Sequence, residues 1–327
     1  MRAAAVVFSL LLTASVPAAA RAQAPVAPAP APVAAAPVQT QMALKAERVG
    51  GLRATVLTGS RVRVRGTTGA FVAGQSVTVR FFIAGRKRAA RRVALTAQPD
   101  GTGAFALSYR PLRPGSLRIS ATHDATAQLA ALAATAQPVD VIPRRVRADS
   151  GAASIRALQR RLRRLGYVTG SPGSFDARTA RAVLAFRKVT GMARTTSASV
   201  GVMRAIARGR GRFRIRFPRH GRHIEADLSR QVIALIEGGR VRRIYPVSSG
   251  APSTPTVRGS FKVYSKTPGT NAKGMVHSAY FFGGYATHGY RSVPVYPASH
   301  GCLRVPIPDA LSLFRWIRIG TRVDVYR

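Results

Sequence analysis

Acid and cysteine are what this chain has least of. Its 327 residues hold 11 Asp plus Glu against 52 Lys plus Arg, a formal charge of +41, and a single cysteine. One cysteine excludes a disulfide framework within the chain. The acid shortage argues against a carboxylate-dependent metallohydrolase, because no Asp or Glu lies between Glu237 and Asp309. Beyond the first residues no apolar run is long enough to span a bilayer. What is present is a surface that collects on polyanions. No recognisable nucleic-acid motif accompanies the charge, so nucleic acid is set aside and an anionic cell-wall or membrane surface is the expected partner.

The start, "MRAAAVVFSLLLTASVPAAARAQA", has a basic Arg2, an apolar run from Ala3 to Leu12 and small residues around Ala22 and Ala24. That is the pattern of a signal peptide over residues 1–24, and it predicts an exported protein; an uncleaved anchor is the other reading. Export sharpens the question of the cysteine, because an unpaired thiol outside the cytosol is a liability. Cys302 is either a small buried hydrophobe or a residue with a chemical task.

The composition, 46% hydrophobic, allows two or three small domains. Residues 25–42 form a Pro/Ala tether of extended character. Over 43–143, short alternating runs such as "RVRVRG" and "QSVTVRFFIAG" are separated by Gly, Pro or Asp-Gly turns, which predicts an immunoglobulin-like β-sandwich used for spacing or docking. His123 and Asp124 read there as a surface turn pair.

The period changes over 144–209. Ile155, Leu158, Leu162 and Leu165 share a helical face that Gly166 ends; Asp176 is placed to cap a second helix burying Ala180, Val183 and Leu184; a third buries Val200, Met203 and Ile206. The order Leu-Gln-x-x-Leu-x-x-Leu-Gly-Tyr, a Gly-rich turn, then "FDARTARAVLAFRKVTGM" resembles the small peptidoglycan-binding domain that accompanies many wall enzymes. "SPGSF" departs from that pattern, as does Arg187 where a glutamine is common. A bare three-helix spacer is the alternative. Read as an anchor, this domain is expected to be separable from catalysis.

Residues 212–327 return to strands, with a Gly-Gly hairpin at Gly238 and Gly239 and one helix at "PDALSLFRWI". Here stands Ser299-His300-Gly301-Cys302. A cysteine attacks as its thiolate, and a partner imidazole takes the proton. His288, fourteen residues earlier, can return on a neighbouring strand to face it. Gly301 permits close backbone approach, so amides near Gly301 and Cys302 can point at an oxyanion. A third group should hold the imidazole in one tautomer; a backbone carbonyl near Gly289 is simpler than Glu225 or Asp227 from another strand. Two histidines and a thiolate are also a zinc donor set, ranked below acyl transfer, so no metal or cofactor is expected.

"YATHGY", "YPASHGCLRVP", "DLSRQ", "YPVSSG" and "STPTVRGSF" together resemble the L,D-transpeptidase, or YkuD, catalytic domain. The resemblance implies a multidomain, mainly β protein whose last domain forms an acyl-enzyme from a peptidoglycan stem tetrapeptide and passes it to an amine. By position it implies Cys302 as nucleophile, His288 as base, His300 and Gly301 on the oxyanion side and Ser299 supporting the loop. Arg304, where some members carry asparagine, is expected to grip a substrate carboxylate. Tyr280, Phe281, Phe282 and Tyr285, with Gly289, are expected to wall the cleft. Transfer to water, and a non-enzymatic wall-binding protein, are the rival functions. The second leaves Ser-His-Gly-Cys unexplained. A papain-like peptidase is set aside because its cysteine precedes its histidine.

Overall fold

The alternating runs of the first half form two sheets in the computed structural model, which describes Met1, residues 35–47 and residues 55–327. Residues 2–24, expected to be a signal peptide, and residues 25–34 of the expected tether lie outside the described residues. The strands are β1 (Met42–Glu47), β2 (Thr55–Leu57), β3 (Val62–Thr68), β4 (Ser76–Ile83), β5 (Arg86–Ala94), β6 (Thr96–Ala97), β7 (Gly103–Tyr109), β8 (Gly115–His123), β9 (Leu132–Thr135) and β10 (Val139–Ile142). One sheet runs β1-β3-β7-β6 and the other β2-β10-β8-β4-β5, with β9 on β8. Val64, Phe81, Leu117 and Ile119 fill the space between them, because period-2 alternation turns one side of each strand inward. Edge strand β5 carries Arg86, Lys87, Arg88, Arg91 and Arg92, charge that discourages a further strand from pairing there.

Two expectations change here. The end of the tether is already structure: the Val38 amide donates to Gln128 O at 2.9 Å. His123 is buried, with Nδ1 3.0 Å from Ser76 O, because it continues the inward series Leu117, Ile119, Ala121 along β8.

Three helices follow: α1 (Ala152–Arg164), α2 (Ala177–Val189) and α3 (Val200–Ala207). Asp176 caps α2 by accepting the Thr179 amide at 2.8 Å. Gly166, at φ 94°, turns the chain after α1. Ile155, Leu158, Leu162, Val183, Leu184, Met203 and Ile206 are buried as expected. Leu165, Ala180 and Val200 are only half-buried, Ala182 and Val202 taking the inward positions on α2 and α3. Arg187 is a clamp within the domain, donating through Nε to Ala193 O (2.6 Å) and through Nη1 to Ser197 O (3.1 Å).

The last domain contains β11 (His223–Asp227), β12 (Val232–Glu237), β13 (Arg240–Pro246), β14 (Gly259–Lys262), β15 (Ser265–Thr270), β16 (Val276–Phe282), β17 (Tyr285–Tyr290), β18 (Leu303–Pro306), α4 (Ile307–Trp316) and β19 (Arg322–Tyr326). Its sheets are β13-β12-β11-β19-β14 and β15-β16-β17-β18. Gly238 and Gly239, at φ 59° and 67°, supply the two left-handed positions that the tight β12–β13 turn requires.

Strand β12 shows why the helical domain is not a detachable anchor. Its run Val232–Ile236 is apolar at every position because both faces are covered. Ile233 and Leu235 join Phe281, Leu303 and Val305 between the two sheets, while Val232, Ala234 and Ile236 join Leu158, Leu162, Phe186 and Met203 of the helices in one cluster. Polar ties reinforce the contact: Arg178 and Arg181 of α2 pair with the buried Asp309 of α4 at 2.7 and 3.2 Å, and the Ile244 amide donates to Gly166 O. Separability of the helices is thus overturned by a shared core.

Candidate active site

Strands β17 and β18 run parallel with Thr287 opposite Leu303 and His288 opposite Arg304. Leu303 and Val305 point into the core. By alternation, Cys302 and Arg304 therefore share the other face with His288 and Tyr290. A sequence separation of fourteen residues collapses to neighbouring positions on one sheet surface.

His288 is buried, and its Nδ1 lies 2.9 Å from Gly289 O. That carbonyl accepts a hydrogen bond from Nδ1–H and so leaves Nε2 as the basic nitrogen. The orienting group is a backbone carbonyl, and Glu225 is engaged elsewhere, accepting the amides of Arg216 and Phe217 and the Tyr326 hydroxyl. Burial pushes the His288 pKa down, and the Arg304 charge adds to this against the opposing Gly289 carbonyl. Burial pushes the Cys302 thiol up, only partly offset by the Ala286 amide and by the charges of Arg304 and Lys273. Both shifts favour a resting pair of neutral thiol and neutral imidazole. The thiol faces Gly284 O at 3.7 Å.

The loop before Cys302 is tied from inside. Ser299 is buried, donating through Oγ to Cys302 O at 2.6 Å and accepting the Gly301 amide at 3.1 Å. The Gly301 amide is thus turned to Ser299 and not outward to an oxyanion, a correction to the sequence reading. Gly301 has φ 107°, and an added Cβ would collide with the Tyr285 ring, so only glycine fits beneath that aromatic. His300 is exposed.

Among the expected cleft residues, Phe282 is exposed and Tyr280 and Tyr285 are half-buried, with Phe282 and Tyr285 ring centres 6.1 Å apart. Phe281 lies in the core instead. Gly289 is buried under α4, where a Cβ would stand 2.6 Å from that of Ala310; it positions His288 and does not line the cleft. Arg304 donates through Nη1 to Ala298 O at 3.1 Å and stacks 4.2 Å above the Tyr290 ring. A bidentate grip on a substrate is left to the remaining edge of the guanidinium. Among the described residues no three His, Cys, Asp or Glu side chains converge as a metal site.

Sequence reasoning gave no role to Ser248, Ser249 or Gln231, although "YPVSSG" and "DLSRQ" contain them. Ser248 exchanges backbone bonds with Arg304, and Ser249 O accepts the Ala298 and Ser299 amides at 2.8 and 2.9 Å. This segment is the floor under the cysteine loop.

The structure thus sets a buried imidazole and a cysteine on one face of a two-sheet domain backed by helices. A family model for the L,D-transpeptidase catalytic domain matches residues 221–325, and one for a peptidoglycan binding domain matches residues 151–202. The crystal structure of an L,D-transpeptidase from Xylanimonas cellulosilytica is similar at 33% identity, with 56% of this chain and 98% of that chain covered and a TM-score of 0.51. A mutant L,D-transpeptidase from Enterococcus faecium shows 26% identity, covering 32% of this chain and 50% of that one, with a TM-score of 0.29. No curated protein matches the chain. The chain belongs to the L,D-transpeptidase family.

Proposed function

We propose that the protein is an exported L,D-transpeptidase that uses Cys302 to form an acyl-enzyme from a peptidoglycan stem tetrapeptide and transfers the acyl group to an amine, cross-linking or remodelling the wall. The observation that carries this reading is the placement of Cys302 and His288 on one face of β17–β18 with Nδ1 of the imidazole held by Gly289 O.

The chemistry follows from the two pKa directions. Because thiol and imidazole rest neutral, His288 takes the thiol proton as sulfur attacks the stem carbonyl, so that base catalysis and attack coincide. A C–S bond forms, and the amine beyond the carbonyl leaves with the proton that His288 holds. In the second half an acceptor amine attacks the thioester, His288 takes its proton, and the thiol is regenerated. Transfer to water would give a carboxypeptidase with the same first half. Arg304 favours the thiolate by its charge and disfavours imidazolium beside it.

Wall association fits the charge and the helical domain. Arg161, Arg164, Arg210, Arg212 and Arg240 border one cavity of about 520 Å³ that shares no residue with the cysteine site, a suitable place for an anionic polymer group. No helix of the described residues is long and apolar enough to cross a membrane.

The test is intact-mass spectrometry after exposure to a tetrapeptide donor. A covalent adduct on the native protein and none on Cys302→Ala is the expected result, with far-UV circular dichroism unchanged since a small residue replaces a small one. Full turnover by Cys302→Ala would remove the reading.

A further inference from the structure

Lys188, near the end of α2, is 3% exposed. Its Nζ donates to Gln231 O at 3.1 Å and Val247 O at 3.0 Å, and among the described residues no carboxylate pairs with it. Burying an ammonium without a counter-charge is costly, and an apolar side chain of similar length would fill the same space without that cost. Burial lowers its pKa to about 7, with the Arg194 charge adding to the effect. A neutral amine still carries two N–H donors and an ammonium three, so both carbonyls keep their bonds in either state. The arrangement is a hydrogen-bond clamp and not a charge switch.

The two carbonyls belong to the segment that supports the nucleophile. Gln231 is buried in the left-handed region at φ 56°, a conformation an ordinary residue adopts only when its surroundings hold it there. Its side chain donates to Ser249 Oγ at 2.6 Å and accepts the Ser249 amide at 2.9 Å. Ser249 O in turn accepts the amides of Ala298 and Ser299, and Ser299 Oγ bridges Gly301 and Cys302. An unbroken series of hydrogen bonds runs from a helix of the peptidoglycan-binding domain to the cysteine.

We propose that Lys188 is a positioning residue for acyl transfer, holding the Ser299–Cys302 loop through Gln231 and Ser249, so that the helical domain forms part of the catalytic apparatus. The inference rests on the reading of Cys302 as the nucleophile.

The experiment compares full-length Lys188→Met, Gln231→Met and the double variant with the native protein. It measures kcat and KM on a soluble tetrapeptide with an amine acceptor, and thermal midpoint. A loop displaced by a fraction of an ångström to one ångström lowers turnover by about 10- to 100-fold. Each single variant should therefore lose kcat by that order with KM within about twofold, because substrate-contacting side chains are untouched. The double variant should lose little more than the worse single one, since both cut the same series. Losses that multiply, or a lowered thermal midpoint with kcat unchanged, would reduce Lys188 to a structural residue and overturn the proposal. If Lys188→Met does not fold, Gln231→Met alone decides, by loss or retention of kcat. Cys302→Ala run alongside separates the two readings: inactive Cys302→Ala with fully active Lys188 and Gln231 variants sinks only this inference, whereas active Cys302→Ala sinks the acyl-enzyme reading itself.

Discussion

His288 lies directly across from Arg304 on adjacent parallel strands, and Cys302 sits two residues before Arg304 on the same face. A fixed cation thus stands beside both the thiol and the imidazole, lowering the pKa of each, while burial dominates each shift.

That arrangement predicts how the thiol reacts. Its pKa lies above the ordinary thiol value of 9.0, so alkylation by iodoacetamide should still be climbing at pH 9. His288→Ala should slow alkylation near neutral pH more than His300→Ala, since His300 is exposed. Arg304→Met should move the alkylation midpoint to higher pH, because the guanidinium charge lowers the thiol pKa. A pH series of alkylation rates on the three variants checks all of this; a larger effect of His300→Ala would make His300 the base.

The shared core predicts that deletion of residues 144–209 is destructive. It would uncover Val232, Ala234, Ile236 and Ile244, and re-exposing a buried Val or Ile costs about 1.5–3 kcal/mol. The sum is comparable with the whole stability of a typical domain, about 5–15 kcal/mol. Loss of a cooperative thermal transition in the remaining fragment is expected. A fragment that folds and turns over soluble substrate would contradict the shared core.

A second buried pair, His223 with Glu225 at 3.3 Å, predicts a pH dependence of stability. Burial raises the Glu225 pKa, but the His223 hydrogen bond and the amides of Arg216 and Phe217 outweigh it, and the net shift is downward from 4.5. Its contribution is present above pH 4.5 and lost as pH falls through the lowered folded value. Burial likewise opposes the charge on His223, yet Glu225 and the Gly221 carbonyl raise its pKa above 6.5. That contribution is full below pH 6.5 and lost as pH rises through the folded value. The pair therefore helps most between about pH 4.5 and 6.5, and Glu225→Gln should lower urea-derived stability inside that window and flatten its fall on either side. An unchanged pH profile in the variant would assign the acid limb to other groups.

Charge predicts a division between adhesion and chemistry. Binding to wall sacculi should weaken steeply as salt brings the Debye length below about 8 Å. Turnover of a small soluble peptide should change much less, because Cys302 and His288 act over contact distances. Pull-down and rate measured across one salt series make the comparison. Equal sensitivity would mean that charge acts on folding or catalysis and not on attachment.

Much of this was legible in the sequence because it is local. Alternation fixes which side of a strand is buried, as in β3 and β4, and helical spacing marks Leu158 and Leu162. Chain order and glycine content also make Ser299-His300-Gly301-Cys302 with His288 recognisable as a chemical unit. Tertiary structure decided the rest. The Gly301 amide turns to Ser299 Oγ and Gly289 lies under α4 because loop closure and helix packing fix those directions. Neither is encoded in spacing. The same holds for Lys188: one lysine among 52 basic residues looks like solvated surface until α2 is laid on β12 and β13 and its ammonium is seen to reach Gln231 and Val247. Patterns along the chain specify elements and reactive types, whereas burial and the partners of each polar atom arise only when distant segments close around them.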